Sequence, residues 1–155
     1  VVVLALSTGA RKSEILNLTW ADIDLKRKVA ILHQTKNNER RALPLAGVAL
    51  ECVKDMAELR RIDTRLLFPD ASGKKPILIR APWQKSLKEA GIENFKFHDL
   101  RHSAASYLAM SGASLAEIAE VLGHKTLQMV KRYSHLSEQH TAGVVEKMNK
   151  KFLGS

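Results

Sequence analysis

Glycines that end short apolar segments constrain the fold of this chain more than any other sequence feature. A glycine directly after a helical pattern supplies the left-handed backbone residue that ends a helix. Such glycines follow four segments, namely Val1–Leu6 before Gly9, Ile79–Ala90 before Gly91, His98–Met110 before Gly112 and Ser114–Leu122 before Gly123. We therefore expect a succession of short helices and no large sheet.

Four other segments also have helical patterns. Apolar residues recur at three- and four-residue steps over Ala46–Arg61, which predicts a long amphipathic helix. Shorter helices are predicted over Lys12–Leu18, Thr126–Tyr133 and Ser137–Met148. The start of the Ser114–Leu122 helix carries a further signal, since Ser114 and Glu117 have the spacing of a capping box.

One region has the pattern of a β-hairpin. The apolar runs Val29–Leu32 and Arg41–Leu45 flank the polar connection Thr35–Glu39, whose asparagines tolerate left-handed backbone. Pro44 predicts that the second strand ends there or lies at a sheet edge. The predicted fold class is therefore α+β, mainly helical, with one small antiparallel sheet.

The charge balance points to a polyanionic partner. The chain has 155 residues, enough for one compact domain over 1–155. Its 25 Lys and Arg against 16 Asp and Glu give a formal net charge of +9. Phosphate contacts by such residues release condensed counterions, so nucleic acid is the expected partner, with a cationic surface that serves only solubility as the alternative.

The single cysteine and the N-terminal segment indicate the cellular compartment of the protein. Cys52 alone cannot form an internal disulfide, which fits a reducing cytoplasm, and we expect its thiol to be buried as a small hydrophobic group. Val1–Leu6 is too short for a signal peptide or a membrane span. The chain begins without Met inside a helical pattern, so we expect that an N-terminal part is absent.

Five separated features carry residues suited to phosphate chemistry. In chain order they are Thr8-Gly9-Ala10-Arg11 with Glu14, Lys36 in the hairpin, His98-Asp99-Leu100-Arg101-His102, Leu122-Gly123-His124, and Tyr133. Each feature alone is more often structural or solvated than catalytic. Their joint order and spacing is the stronger evidence, since Arg101 follows His98 by three positions, His124 follows Arg101 by 23 and Tyr133 follows His124 by nine.

This series resembles the tyrosine recombinase family, the phage-type integrases and their chromosomal relatives. Members carry an Arg in a turn before a helix, a Lys in a β-hairpin, a His-x-x-Arg box, a Gly-His pair and a nucleophilic Tyr. The resemblance spans Thr8 to Ser137, nearly the whole chain. It implies a tyrosine-recombinase-like catalytic domain that cleaves and rejoins DNA strands through a 3′-phosphotyrosine intermediate.

The resemblance also implies a role for each matching residue. Tyr133 is the nucleophile, Arg11 and Arg101 clamp the scissile phosphate, and His124 donates a hydrogen bond to it. His98 is the candidate base, on the same helix face as Arg101, and Lys36 is the candidate general acid. Arg11, Lys36, Arg101 and His124 are thus the expected DNA contacts. Glu14 is expected to orient Arg11, or else to be an exposed helical carboxylate.

No metal or other cofactor is expected. His98 and His102 have the spacing of paired metal ligands on a helix, but no Glu follows His98 and no third ligand is evident. No glycine-rich phosphate loop is present, so ATP is not expected either.

The expected partners are double-stranded DNA and further copies of the protein, with no membrane. The resemblance implies a tetramer on DNA for the full-length protein, and a monomeric or weakly associated fragment. Two alternatives remain open. One is a non-catalytic helix-turn-helix DNA reader, since Ser114–Tyr133 has a capped helix, a glycine turn and a second basic helical pattern. The other is a type IB topoisomerase-like enzyme, which shares the chemistry but relaxes supercoils.

Overall fold

The computed structural model describes residues 1–33 and 40–154, and it describes no side chains for residues 137–140. The chain divides into two compact units, Val1–Arg101 and His102–Ser155. The boundary falls within a helix, directly after Arg101. Each unit has its own buried apolar cluster.

The first unit surrounds a small sheet with short helices. Its helices are α1 (Val2–Thr8), α2 (Lys12–Leu16), α3 (Gly47–Glu58) and α4 (Arg80–Glu89), and α5 (Asp99–Met110) begins in it. Apolar residues from α1, α2, α3, the start of α5 and the sheet form one buried cluster, which includes Leu4, Ile15, Leu43, Val53 and Leu100. Burial of these side chains is the main favourable contribution to the stability of the unit.

Over the described residues, the sheet is antiparallel and three-stranded, in the order β1 (Ile23–Asp24), β2 (Val29–Leu32) and β3 (Arg41–Pro44). The register pairs Leu32 with Arg41 and Val29 with Pro44. The predicted hairpin is confirmed, and β3 both lies at the sheet edge and ends at Pro44 as expected. The predicted connection Thr35–Glu39, with Lys36, lies outside the described residues.

The second unit holds most of α5, then α6 (Leu115–Leu122) and α7 (Glu138–Phe152). Its buried cluster consists of Ala105, Ala109, Ile118, Ala119, Leu122, Val130 and Tyr133. The helix predicted over Ser137–Met148 corresponds to α7, which extends further toward the C terminus, to Phe152.

Two expectations from the sequence were wrong. Residues 126–137 form no α-helix but the 3₁₀ segments Leu127–Met129 and Lys131–Ser137. The recognition helix that a helix-turn-helix reader needs after α6 is therefore missing from this described backbone. Cys52 is half-buried and not fully buried, because it lies at the margin of the apolar face of α3 formed by Ala49, Leu50 and Val53.

The capping box at the start of α6 gives a first testable prediction. Glu117 accepts hydrogen bonds from the Ser114 hydroxyl and backbone N–H, both 2.7 Å, and the Glu117 N–H donates to Ser114 Oγ at 3.2 Å. The Ser114 side chain, and then its backbone N–H, lowers the pKa of the Glu117 carboxyl. A lowered pKa contributes stability above the unfolded value of about 4.3, and that contribution is lost as the pH falls through the folded value.

Ser114→Ala is therefore expected to lower the urea midpoint at neutral pH, and the difference from the wild type should shrink below about pH 4. Urea titrations followed by circular dichroism at both pH values check this, with the exposed Ser111→Ala variant as the control. A difference that stays the same at both pH values would show that the carboxylate takes no part.

Candidate active site

Arg11 begins α2 directly after the turn that ends α1. Gly9 has a φ of 62°, the left-handed conformation that ends a helix without a Cβ penalty. Arg11 then takes extended backbone as the N-cap residue of α2. Its backbone N–H donates to Glu14 Oε2 at 2.8 Å, and its Nη1 donates to Glu14 Oε1 at 2.7 Å. One carboxylate thus holds both the main chain and the guanidinium of Arg11.

A second arginine binds the same carboxylate. Arg41, at the start of β3, donates from Nη2 to Glu14 Oε2 at 2.9 Å. The Glu14 side chain is only 3 % exposed, so it is a buried carboxylate between two cations and not an exposed helical one. Burial lowers the pKa of Arg41, and the nearby carboxylate of Glu14 raises it in opposition.

Sequence reasoning missed Arg41. Its signal was a basic residue directly before the apolar run Ala42-Leu43, at a position whose neighbours predict a strand. The contact with Glu14 joins residues 27 positions apart, so only the fold could pair them.

Arg101 reaches the same turn from the end of the first unit. Its side chain is buried, with the residue 4 % exposed, and its Nη1 donates to the Gly9 carbonyl oxygen at 2.6 Å. Gly9 lies two residues before Arg11. The structure therefore brings two arginines, 90 positions apart in the sequence, to one turn between α1 and α2.

His98 does not lie on the helix that the sequence predicted for it. It occupies the turn directly before α5, is exposed, and accepts a backbone hydrogen bond from the Arg101 N–H at 3.1 Å through its carbonyl oxygen. The helix begins at Asp99, whose side chain accepts a hydrogen bond from the Lys96 N–H in the preceding turn at 2.7 Å. The buried Arg101 and the exposed His98 therefore occupy different environments.

The second unit holds the other two predicted residues. His124 follows Gly123, whose φ of 65° ends α6. The His124 N–H donates to the Ala119 carbonyl oxygen at 2.8 Å, which fixes the main chain at this half-buried residue. Tyr133 lies in the 3₁₀ segment Lys131–Ser137, where its N–H donates to the Val130 carbonyl oxygen at 2.9 Å.

Tyr133 is buried and its hydroxyl is bonded to a histidine. The residue is 6 % exposed, and its ring belongs to the apolar cluster of the second unit. Its Oη lies 2.7 Å from Nδ1 of His102, within hydrogen-bond distance. Sequence reasoning considered His102 only as a metal ligand and missed this contact, which joins residues 31 positions apart.

Glu14→Ala is expected to lower the free energy of unfolding by about 3 kcal/mol, because it leaves two largely buried guanidinium groups without their shared carboxylate. Urea unfolding measures this directly. Glu51→Ala is the matched control, since the Glu51–Lys54 pair is exposed and its loss should change stability by less than about 0.5 kcal/mol. Equal effects of the two substitutions would contradict the structural role of Glu14.

Within residues 1–33 and 40–154, apart from the side chains of 137–140, no three His, Cys, Asp or Glu residues are grouped as a metal site would require. None of the helices in this same part of the chain is long and apolar enough to cross a bilayer.

Comparison with known proteins identifies the family. Residues 1–140 match the phage integrase family, so the chain belongs to that family. It is 37 % identical to the integrase of Salmonella phage P22 over 154 residues, covering 90 % of this chain and 39 % of the integrase. It is also 37 % identical to the shufflon-specific DNA recombinase of Escherichia coli over 134 residues, covering 86 % of this chain and 33 % of that protein.

A solved structure shows a similar fold. The catalytic domain of bacteriophage HP1 integrase superposes with a TM-score of 0.69 at 26 % identity, over 94 % of this chain and 78 % of that one. The mainly helical fold with a small antiparallel sheet is therefore that of a tyrosine recombinase catalytic domain, as the sequence predicted. The chain spans well under half the length of the two sequence relatives above.

Proposed function

We propose that this chain is the catalytic domain of a site-specific DNA recombinase or integrase, which cleaves and rejoins DNA strands through a 3′-phosphotyrosine at Tyr133. The observation that supports it best is the hydrogen bond from Arg101 to Gly9, in the turn that also carries Arg11. Two guanidinium groups held near one short turn match the chemistry of an anionic phosphodiester.

The arginines would act on charge that develops during the reaction. Attack on a phosphodiester adds negative charge to its nonbridging oxygens, and a guanidinium stays protonated while it donates two parallel hydrogen bonds. Donors held in place before the reaction need no reorganisation in the transition state. The buried Glu14 carboxylate and the Gly9 carbonyl fix the two side chains in this way.

The remaining roles follow from the family resemblance. Tyr133 attacks phosphorus, and the phosphotyrosine conserves the bond energy until religation reverses the step. His124 donates a hydrogen bond to the phosphate, and His98 is the family's candidate for the base. Lys36 is the candidate general acid for the departing 5′ oxygen. Glu14 is a positioning residue for Arg11.

Double-stranded DNA is the proposed substrate and partner. The net charge of +9 favours phosphate binding, and one similar protein is named a DNA recombinase. We further propose a tetramer on DNA in the longer protein, with this domain alone monomeric or weakly associated, acting in the cytoplasm where the nucleoid lies. The helix α7 exposes Val144, Val145 and Met148, an apolar surface suited to packing against a neighbouring protomer.

The domain is proposed to work with a separate DNA-binding domain that precedes it and closes a clamp around the duplex. The chain matches 39 % of the P22 integrase, which leaves ample length in such a protein for that domain. Alone, the catalytic domain is expected to bind DNA weakly and to recombine poorly.

Both alternative functions have less support. A helix-turn-helix protein needs a second helix after α6, whereas residues 126–137 of this chain form 3₁₀ segments. That function also leaves the hydrogen bonds of Arg11 and Arg41 with Glu14 without a role. A type IB topoisomerase shares the proposed chemistry, but the relatives above are an integrase and a recombinase.

The test is covalent capture on DNA. The chain is incubated with a pool of nicked duplexes randomised around the nick, so that the short downstream strand diffuses away after cleavage and religation is prevented. The proposal predicts a protein–DNA complex that survives denaturation and retains a label on the 5′ end of the cleaved strand. Failure to form any such complex, or attachment of the other strand end, would contradict it.

A further inference from the structure

The hydrogen bond between His102 and Tyr133 has no role in the assignments above. His102 Nδ1 and Tyr133 Oη are 2.7 Å apart, and the two ring centroids are 6.5 Å apart with the planes tilted by 39°. Both residues belong to the second unit, so one compact body holds the contact. A phenol oxygen at this distance from an imidazole nitrogen is placed for proton transfer without a bridging water.

The surrounding packing fixes this geometry. His102, Ala105 and Ala109 follow one another on α5 at three- and four-residue steps and therefore share one face of the helix. Ala105, Ala109 and the Tyr133 ring belong to the same buried cluster. The face of α5 that carries His102 is therefore buried in the same cluster as the Tyr133 ring.

Resting on the proposed function, we propose that His102 is a catalytic residue, the general base that receives the phenolic proton of Tyr133. In the required tautomer Nε2 carries the hydrogen, so Nδ1 accepts from the Tyr133 hydroxyl. Imidazole is the side chain that most often acts as a general base in enzymes. This assignment differs from the one that the family resemblance implies, in which His98 is the base.

The O–H bond of Tyr133 breaks and its proton moves to Nδ1 of His102, while the phenol oxygen forms a bond to phosphorus. The bond between phosphorus and the 5′ oxygen breaks, and that oxygen leaves as a 5′-hydroxyl with a proton from the general acid, proposed above as Lys36. During religation the 5′-hydroxyl returns its proton to the group that acted as general acid and attacks phosphorus. The bond between phosphorus and the phenol oxygen breaks, and His102 returns its proton to that oxygen.

The test compares two substitutions of His102 in the nicked-duplex assay. His102→Ala removes both the hydrogen bond and the base, whereas the amide oxygen of His102→Asn can accept the same hydrogen bond but cannot take up the proton. Both variants are expected to form the covalent complex about 10²-fold more slowly than the wild type. His135→Ala is the matched control, because His135 is exposed in the same 3₁₀ segment as Tyr133 and should leave the rate unchanged.

A duplex with a sulfur leaving group distinguishes the loss of the general base from the loss of the general acid. In a duplex whose bridging 5′ oxygen is replaced by sulfur, the leaving thiolate needs no proton, so Lys36→Ala should recover its rate. The His102 variants should stay slow on this duplex, because activation of the nucleophile is still missing. Thermal unfolding of His102→Asn near the wild-type temperature shows that the slow rate does not come from misfolding.

Other results would overturn the inference. A His102→Asn cleavage rate equal to that of the wild type would show that His102 acts only as a hydrogen-bond acceptor. Faster cleavage by His102→Ala would show that the hydrogen bond to His102 inhibits attack by Tyr133. Either result with an active wild-type chain leaves the proposed function intact, whereas an inactive wild-type chain counts against that function itself.

Discussion

Replacing Tyr133 by phenylalanine is expected to abolish covalent attachment to DNA completely. The substitution deletes the oxygen that would bond to phosphorus and keeps the ring in its buried cluster. The hydrogen bond to His102 is lost as well, which should cost about 1 kcal/mol of stability and leave the fold intact. Denaturing gels of the nicked-duplex reaction measure the attachment.

The chain provides its own matched control for this experiment. It has two tyrosines, and Tyr107 is 57 % exposed on α5. Tyr107→Phe removes the same atom from a surface position, so its covalent complex should form at the wild-type rate. If the Tyr133→Phe protein still forms the complex, another residue is the nucleophile.

Arg101→Ala is expected to slow DNA cleavage by about 10² to 10³-fold, the usual cost of removing one preorganised donor from a developing anion. Arg101→Lys should restore little of this rate, because an ammonium group cannot donate a parallel pair of hydrogen bonds. The loss of the Nη1 contact with the Gly9 carbonyl also frees the turn next to Arg11. Single-turnover cleavage rates at saturating DNA measure the effect.

Weaker DNA binding is another possible cause of slower cleavage by Arg101→Ala, and a control must distinguish it from lost catalysis. Arg80→Ala removes an exposed guanidinium from the start of α4 in the same unit, and it should change the cleavage rate at saturating DNA little. Equal rate losses for Arg80→Ala and Arg101→Ala would mean that net charge alone, and no specific phosphate contact, explains the dependence on arginine.

The features that the sequence predicted well depend on local chemistry. Gly9, Gly112 and Gly123 all take positive φ where a helical pattern stops, since only glycine does so without steric cost. The capping box between Ser114 and Glu117 starts α6 as expected. Pro44 is the last residue of the edge strand β3, a position that tolerates a residue without an N–H.

The contacts that the sequence could not supply are long-range. Arg41 with Glu14, Arg101 with Gly9, and His102 with Tyr133 each join residues at least 27 positions apart. The joint order and spacing of the motifs identified Glu14, Arg101 and Tyr133 as candidates, but a pattern in one segment carries no information about a partner in another. Family resemblance supplied roles for the known motifs and none for Arg41 or His102.

The 3₁₀ backbone around Tyr133 shows that the sequence pattern can also mispredict local secondary structure. Residues 126–137 have enough apolar and basic residues to predict an α-helix, yet they form two 3₁₀ segments separated at Val130. Val130 and Tyr133 are both buried in the same cluster, three positions apart. A 3₁₀ helix repeats every three residues and puts such positions on one side, so tertiary packing outweighs the helical preference of the segment.

The most direct test of the central claim is to locate the DNA on the protein. Trypsin should release residues 133–147 and 102–125 as separate peptides, each with one of the two tyrosines. After covalent capture and nuclease digestion, mass spectrometry should find a 3′-linked nucleotide on Tyr133 in the first peptide. A nucleotide on any other residue, or one linked through its 5′ phosphate, would contradict the proposed mechanism.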